Sequence, residues 1–93
     1  MLFVYDFDFE VGDKEKHKVS FHYEKWTGSI TVKVDEQTVS TSRVIFLGDM
    51  PLITIPVGKE EKHDVQFDVN SGGFFFIKPK IVVSVDSKIV KRF

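Results

Sequence analysis

Apolar and polar residues alternate strictly through most of the chain. In residues 2–11, Phe3, Tyr5, Phe7, Phe9 and Val11 share one face, and Asp6, Asp8 and Glu10 share the other. His17, Val19, Phe21 and Tyr23 alternate with Lys18, Ser20, His22 and Glu24. Ile30, Val32 and Val34 alternate with Thr31 and Lys33, and Val65, Phe67 and Val69 with Asp64, Gln66 and Asp68. A period of two repeated this often predicts strands with one buried face. No 3.6-residue period persists over ten or more residues, so helix content should be near zero.

Turn-forming residues punctuate the runs: Gly12-Asp13, Thr27-Gly28, Asp35-Glu36, Gly48-Asp49 with Pro51, Gly58, Ser71-Gly72-Gly73 and Asp86-Ser87. They cut the chain into about eight strands, near 2–11, 16–25, 29–35, 38–47, 51–57, 62–70, 74–85 and 87–92. Connections this short join antiparallel neighbours, because parallel crossovers need a dozen or more residues. The expected architecture is all-β, an antiparallel β-sandwich, with a closed barrel as the alternative.

The chain also repeats itself. Val11-Gly-Asp-Lys-Glu-Lys-His-Lys-Val-Ser-Phe21 aligns with Val57-Gly-Lys-Glu-Glu-Lys-His-Asp-Val-Gln-Phe67 at an offset of 46, with seven of eleven positions identical. After a five-residue insertion around Ser71–Lys80, Val32–Val39 aligns with Val83–Val90. Residues 1–93 therefore read as one domain made of two pseudo-symmetric four-strand repeats, about 2–47 and 48–93. Neither repeat can bury an aromatic face alone, so the two are expected to cover each other.

Those segments carry a family likeness. The stretches His17-Lys-Val-Ser-Phe21 and Thr27-Gly-Ser-Ile-Thr-Val-Lys-Val-Asp-Glu-Gln-Thr-Val39 are followed by Val69-Asn-Ser-Gly-Gly-Phe-Phe-Phe76 and Val82-Val-Ser-Val-Asp-Ser-Lys-Ile-Val-Lys-Arg-Phe93. Together they resemble the Fas apoptotic inhibitory molecule family, which has His-Lys-apolar-x-Phe, a strand ending in apolar-Asp-Gly, and a second half ending in Asp-Gly-Lys with basic residues. The resemblance covers about residues 11–92. It departs at Glu36 and Ser87, where that family tends to have glycine in the Asp-Gly turns. It implies a cytosolic antiparallel β-sandwich that acts through protein contacts without catalysis. It transfers no site residues, and the family's role in cell death is not carried over.

Composition narrows the function further. Ninety-three residues with 42% apolar and 29% charged side chains describe a folded domain. Such a domain buries about 65% of its unfolded surface. Ten phenylalanines make the core aromatic. No cysteine is present, which removes disulfide, thiol and cysteine–zinc chemistry and points to a cytoplasmic location. Thirteen basic against fourteen acidic residues give no footprint for nucleic acid. The first ten residues lack the basic lead of a signal peptide, and no apolar run approaches the ~20 residues of a membrane helix. No nucleic-acid or membrane partner is expected.

Candidate chemistry is sparse. No Gly-x-Ser-x-Gly context surrounds a serine, and the chain reads as not an enzyme. His17 and His63 occupy equivalent positions, with Glu15 and Glu61 two residues before them. A metal pair lacks a third ligand at suitable spacing, so two copies of a structural contact, such as imidazole to backbone at a sandwich rim, are expected. Asp6, Asp8 and Glu10 lie ~6.6–6.8 Å apart along a strand, awkward for calcium–oxygen distances of ~2.4 Å. They read as a solvated row that blunts an edge. No cofactor is expected.

Two surface candidates remain. Trp26 with Tyr23 could stack on a sugar, although a tryptophan closing one end of the core is the commoner arrangement. Counting in twos from Ile81, Val83 and Val85 turns Pro79, Ile77 and Phe75 inward and Phe74, Phe76, Lys78, Lys80 and Val82 outward, an exposed patch suited to contact. The leading expectation is a non-enzymatic cytosolic protein-interaction domain. A carbohydrate or small-ligand module and a structural subunit of a homo-oligomer are the alternatives, so a protein partner or self-association is the anticipated contact.

Overall fold

A computed structural model describes residues 4–43, 51–70 and 79–92. They form eight strands: β1 (Val4–Val11), β2 (His17–Glu24), β3 (Ser29–Val34), β4 (Gln37–Arg43), β5 (Leu52–Val57), β6 (His63–Asn70), β7 (Lys80–Val85) and β8 (Lys88–Arg92). No helix occurs among the described residues, and so none is long and apolar enough to cross a membrane. The strands make two antiparallel sheets, ordered β1-β2-β3-β4 and β5-β6-β7-β8. Each is a simple meander, as short connections dictate. The sheets remain separate, each with two edges, so the barrel alternative is not adopted.

The alternation sets which side chains meet. Val19, Phe21, Tyr23, Ile30 and Val32 from the first sheet face Ile53, Ile55, Val57, Val65, Phe67, Val69, Ile81 and Val83 from the second. Tyr5, Phe7 and Phe9 of β1 are half-buried at the margin of this core. At its centre the Phe21 and Phe67 rings stack at 4.9 Å, and Phe7 stacks on Phe21 at 5.0 Å. These two phenylalanines are repeat equivalents, so each half buries its aromatic against the copy in the other. Burying such rings supplies much of the folding free energy of a small domain.

β4 and β8 contribute no buried residue. The core therefore lies between β1–β3 and β5–β7, and the last strand of each sheet stands outside it.

The repeat extends to backbone irregularities. The β3–β4 register skips Val39 between Val32 and Lys33, and the β7–β8 register skips Val90 between Val83 and Ser84. Each is a β-bulge, one extra residue on the outer strand. The β3–β4 and β7–β8 turns are also alike. Asp35 and Glu36 have φ of 50° and 71°, and Asp86 and Ser87 have 51° and 68°. Positive φ at both central residues is the pattern of a type I′ hairpin turn, where Asp-Gly is preferred. Glu36 and Ser87 thus occupy left-handed positions without being glycine, which is the physical content of their departure from the Asp-Gly pattern.

Candidate functional site

The most organised polar region is where the β1–β2 and β5–β6 hairpins meet. Each loop begins with a glycine, Gly12 at φ 108° and Gly58 at φ 100°. A Cβ on Gly12 would lie 1.9 Å from the Glu15 carbonyl oxygen, and one on Gly58 would lie 2.0 Å from that of Glu61. Only glycine fits either place. The tight loop gathers successive backbone N–H groups into an anion-receiving hollow. What fills it is a carboxylate from the other repeat. The N–H groups of Lys59 and Glu60 donate to Glu15 at 2.7 Å, and that of Glu61 donates at 3.3 Å. In return, Asp13, Lys14 and Glu15 donate from their N–H groups to Glu61 at 2.6, 2.7 and 3.3 Å.

Each carboxylate also holds a histidine. His17 donates through Nε2 to Glu15 and through Nδ1 to Asp35 at 2.5 Å. His63 donates through Nε2 to Glu61 at 2.5 Å and through Nδ1 to Asp86 at 2.6 Å. An imidazole facing carboxylates at both nitrogens must donate twice, and only the protonated ring can do so. The hydrogen bond to Asp35, then that to Glu15, raises the His17 pKa above its ordinary value. Asp86 and then Glu61 raise that of His63 in the same way. The histidine contacts, with the backbone N–H groups, hold the carboxyls of Glu15 and Glu61 down to about 2. Asp35 and Asp86 are lowered chiefly by the same histidines. Each aspartate also accepts from the backbone, Asp35 from Lys18 and Asp86 from Asp64, at 2.9 Å.

The result is a reciprocal lock, and it explains which positions the repeat keeps. Gly12/Gly58 shape the loop, Glu15/Glu61 cross between halves, His17/His63 orient the carboxylates, and Asp35/Asp86 orient the imidazoles. The expected backbone acceptor for each imidazole is replaced by two carboxylates, because Glu15 and Glu61 are drawn beside the rings by the opposite loop. Among the described residues, no group of three or more His, Asp or Glu side chains is arranged to hold a metal ion. Sequence reasoning found the histidines and their preceding glutamates. It missed Asp35 and Asp86, though their matching places in the two repeats carried the signal.

The outer face of the first sheet has a shallow hollow of about 590 Å³ lined by Asp6, Asp8, Lys18, His22, Lys33 and Glu36, among others. Its charges largely answer one another. His22 bonds Asp6, and Lys18 bonds Glu36 at 3.0 Å and lies 3.8 Å from Asp8. Glu36 raises the Lys18 pKa, and Lys18 lowers that of Glu36. Among the described residues no buried side-chain polar atom lacks a partner.

The two aromatic candidates separate. Tyr23 is 1% exposed, deep in the core against Tyr5 at 6.2 Å, whereas Trp26 is 68% exposed. They form no joint platform, and Trp26 does not close the core. Lys25 and Gly28 are the buried residues of that turn instead. The turn explains the exchange. The Gly28 N–H, at φ 77°, bonds the Glu24 carbonyl at 2.8 Å, so the loop curls and carries Trp26 out to solvent.

Of the outward patch, Phe74, Phe76 and Lys78 lie outside the described residues. Lys80 is exposed, Val82 is half-buried on the outer face of β7, and Pro79 is buried as the phase requires. In register with Val82 across Asp68 stands Leu52, 60% exposed. Comparison with protein-family models, curated proteins and solved structures gives no match for this chain.

Proposed function

We propose that this protein is a non-enzymatic, cytoplasmic protein-interaction domain that docks through the outer face of its second sheet. The carrying observation is the row Leu52–Asp68–Val82, which places an exposed leucine and a half-buried valine where the equivalent row of the first sheet is Asp6–His22–Thr31. Apolar side chains left on an outer sheet face are the usual mark of a contact surface. Lys80 on the same face gives the contact a basic margin. The likeness of residues 11–92 to the Fas apoptotic inhibitory molecule family supports the same reading. The saccharide alternative is weaker because Tyr23 is buried away from Trp26.

The test is the double change Leu52→Lys with Val82→Lys, against Thr41→Lys on β4 as a control. Sedimentation and affinity capture from native extract should show an association kept by the control and lost by the double variant. A folded double variant that keeps every association overturns the reading. Quenching of Trp26 fluorescence by a saccharide would favour the alternative.

A further inference from the structure

Four strands are sheet edges, and three of them carry devices that discourage a further strand. β4 and β8 are bulged at Val39 and Val90, and β8 also carries Lys88, Lys91 and Arg92. β5 follows Pro51 and contains Pro56, which has no N–H to offer. Bulges, lysines and prolines are the standard protections of an edge. β1 has none of these, and its one guard is the acid row Asp6, Asp8 and Glu10, which repels only a strand of like charge. β1 runs eight residues without proline, lysine or bulge, in unbroken register with β2 from Val4↔Glu24 to Val11↔His17. Among the described residues β2 is its one ladder partner.

The two faces of β1 define what can lie beside it. Outward stand Asp6, Asp8 and Glu10, with the side chains of Asp6 and Asp8 each 62% exposed despite their contacts to His22 and Lys18. Inward stand Tyr5, Phe7 and Phe9, half-buried at the core margin. A second copy of β1 would set acid against acid, so the row excludes self-pairing. A strand with basic residues on one face and apolar residues on the other meets the opposite situation. Its cations oppose the acid row while its apolar side chains extend the Tyr5–Phe7–Phe9 margin.

We infer that the β1 edge binds, by strand addition, an extended segment of another protein in which basic and apolar residues alternate. Main-chain hydrogen bonds along the edge that no described strand pairs supply affinity, and the acid row supplies selection. This rests on the protein-binding reading above but uses a different surface, so either can fail alone.

The experiment titrates the intact chain with an acetylated seven-residue peptide alternating Lys and Val. A peptide of the same composition in two blocks and an alternating Glu/Val peptide serve as comparisons. Binding is read by amide exchange resolved to single residues. The expected result is slowed exchange at alternate residues of β1, with the block and acidic peptides at least about tenfold weaker. The triple change Asp6→Lys, Asp8→Lys, Glu10→Lys should invert the preference toward the Glu/Val peptide. Should that variant unfold, Asp6→Asn with Asp8→Asn should weaken the Lys/Val peptide severalfold without inversion. Equal binding of alternating and block peptides overturns the inference, as does protection on β4 or β8 instead of β1, or no binding at all.

Discussion

The two halves agree at the centre of the core and differ outside it, while around that centre Phe7, Phe9 and Tyr23 give way to Ile53, Ile55 and Val69. At equivalent positions the interior repeats: Val11 and Val57, Val19 and Val65, Phe21 and Phe67, Ile30 and Ile81, Val32 and Val83. On the outer faces Asp6 becomes Leu52, Asp8 becomes Thr54, Glu10 becomes Pro56, Lys18 becomes Asp64 and Thr31 becomes Val82. Phe21 is held by its counterpart Phe67, and the other interior residues share the same core, so a change on one side must suit the other. An outer residue meets only its own sheet and whatever docks there. The difference therefore separates what the fold requires from what each surface does.

The strongest way to break this equivalence is at the centre. Phe21→Ala and Phe67→Ala should each cost about 3–5 kcal/mol by chemical denaturation, as truncation of a buried phenylalanine does. Because the rings stack on one another, the double variant should cost less than the sum of the singles. A large gap between the single variants would show that the halves are not mechanically equivalent. The loop glycines come next. Gly12→Ala and Gly58→Ala should each destabilise by at least about 1–3 kcal/mol, since alanine is strained at these φ values and its Cβ would strike a carbonyl oxygen.

Acidity tests the lock in both halves at once. Glu15 and Glu61 are held at about 2, below the ordinary 4.5, so their contribution is complete above about 4.5 and is lost as pH falls toward 2. His17 and His63 are raised above 6.5, so theirs is complete below about 6.5 and is lost as pH rises through the folded value. Melting temperature should peak between these limits. Glu15→Gln and Glu61→Gln should each lower the peak and flatten its acid side, to a similar extent. The smallest expected effect is a gain. Ser87→Gly should stabilise by about 0.5–1 kcal/mol, because glycine takes a positive φ without steric cost. Glu36→Gly should gain less, as it gives up the contact with Lys18. Equal gains would show that the contact contributes nothing.

The strands were legible in the chain because one-sided burial imposes a period of two, and each turn is announced by Gly, Pro or Asp. The repeat was legible because the lock demands Gly, Glu and His at fixed spacing. The carboxylate swap between Glu15 and Glu61 was not, since sequence offers no way to tell that a loop receives an anion from its own copy. The exposure of Trp26 was also hidden. Hydrophobicity alone places tryptophan inside, and the curl closed by Gly28 decided otherwise. The overhang of β4 escaped for a different reason. Its Thr, Ser and Gln residues fit a half-exposed strand as well as one bare on both sides.

The lock also records how such a chain can arise. In it, Glu15 meets the loop of Glu61 while Glu61 meets the loop of Glu15, which is the exchange of an isologous two-fold contact. Half a chain holding Gly12, Glu15, His17 and Asp35 already contains both sides of that contact. Two identical halves would join as a symmetric dimer through the same bonds, with Phe21 against Phe21. Tandem duplication of such a half needs no new interface. It frees the two outer surfaces to diverge, one toward acids and one toward leucine and valine, while the reciprocal lock and the Phe21–Phe67 stack between the halves stay as they were.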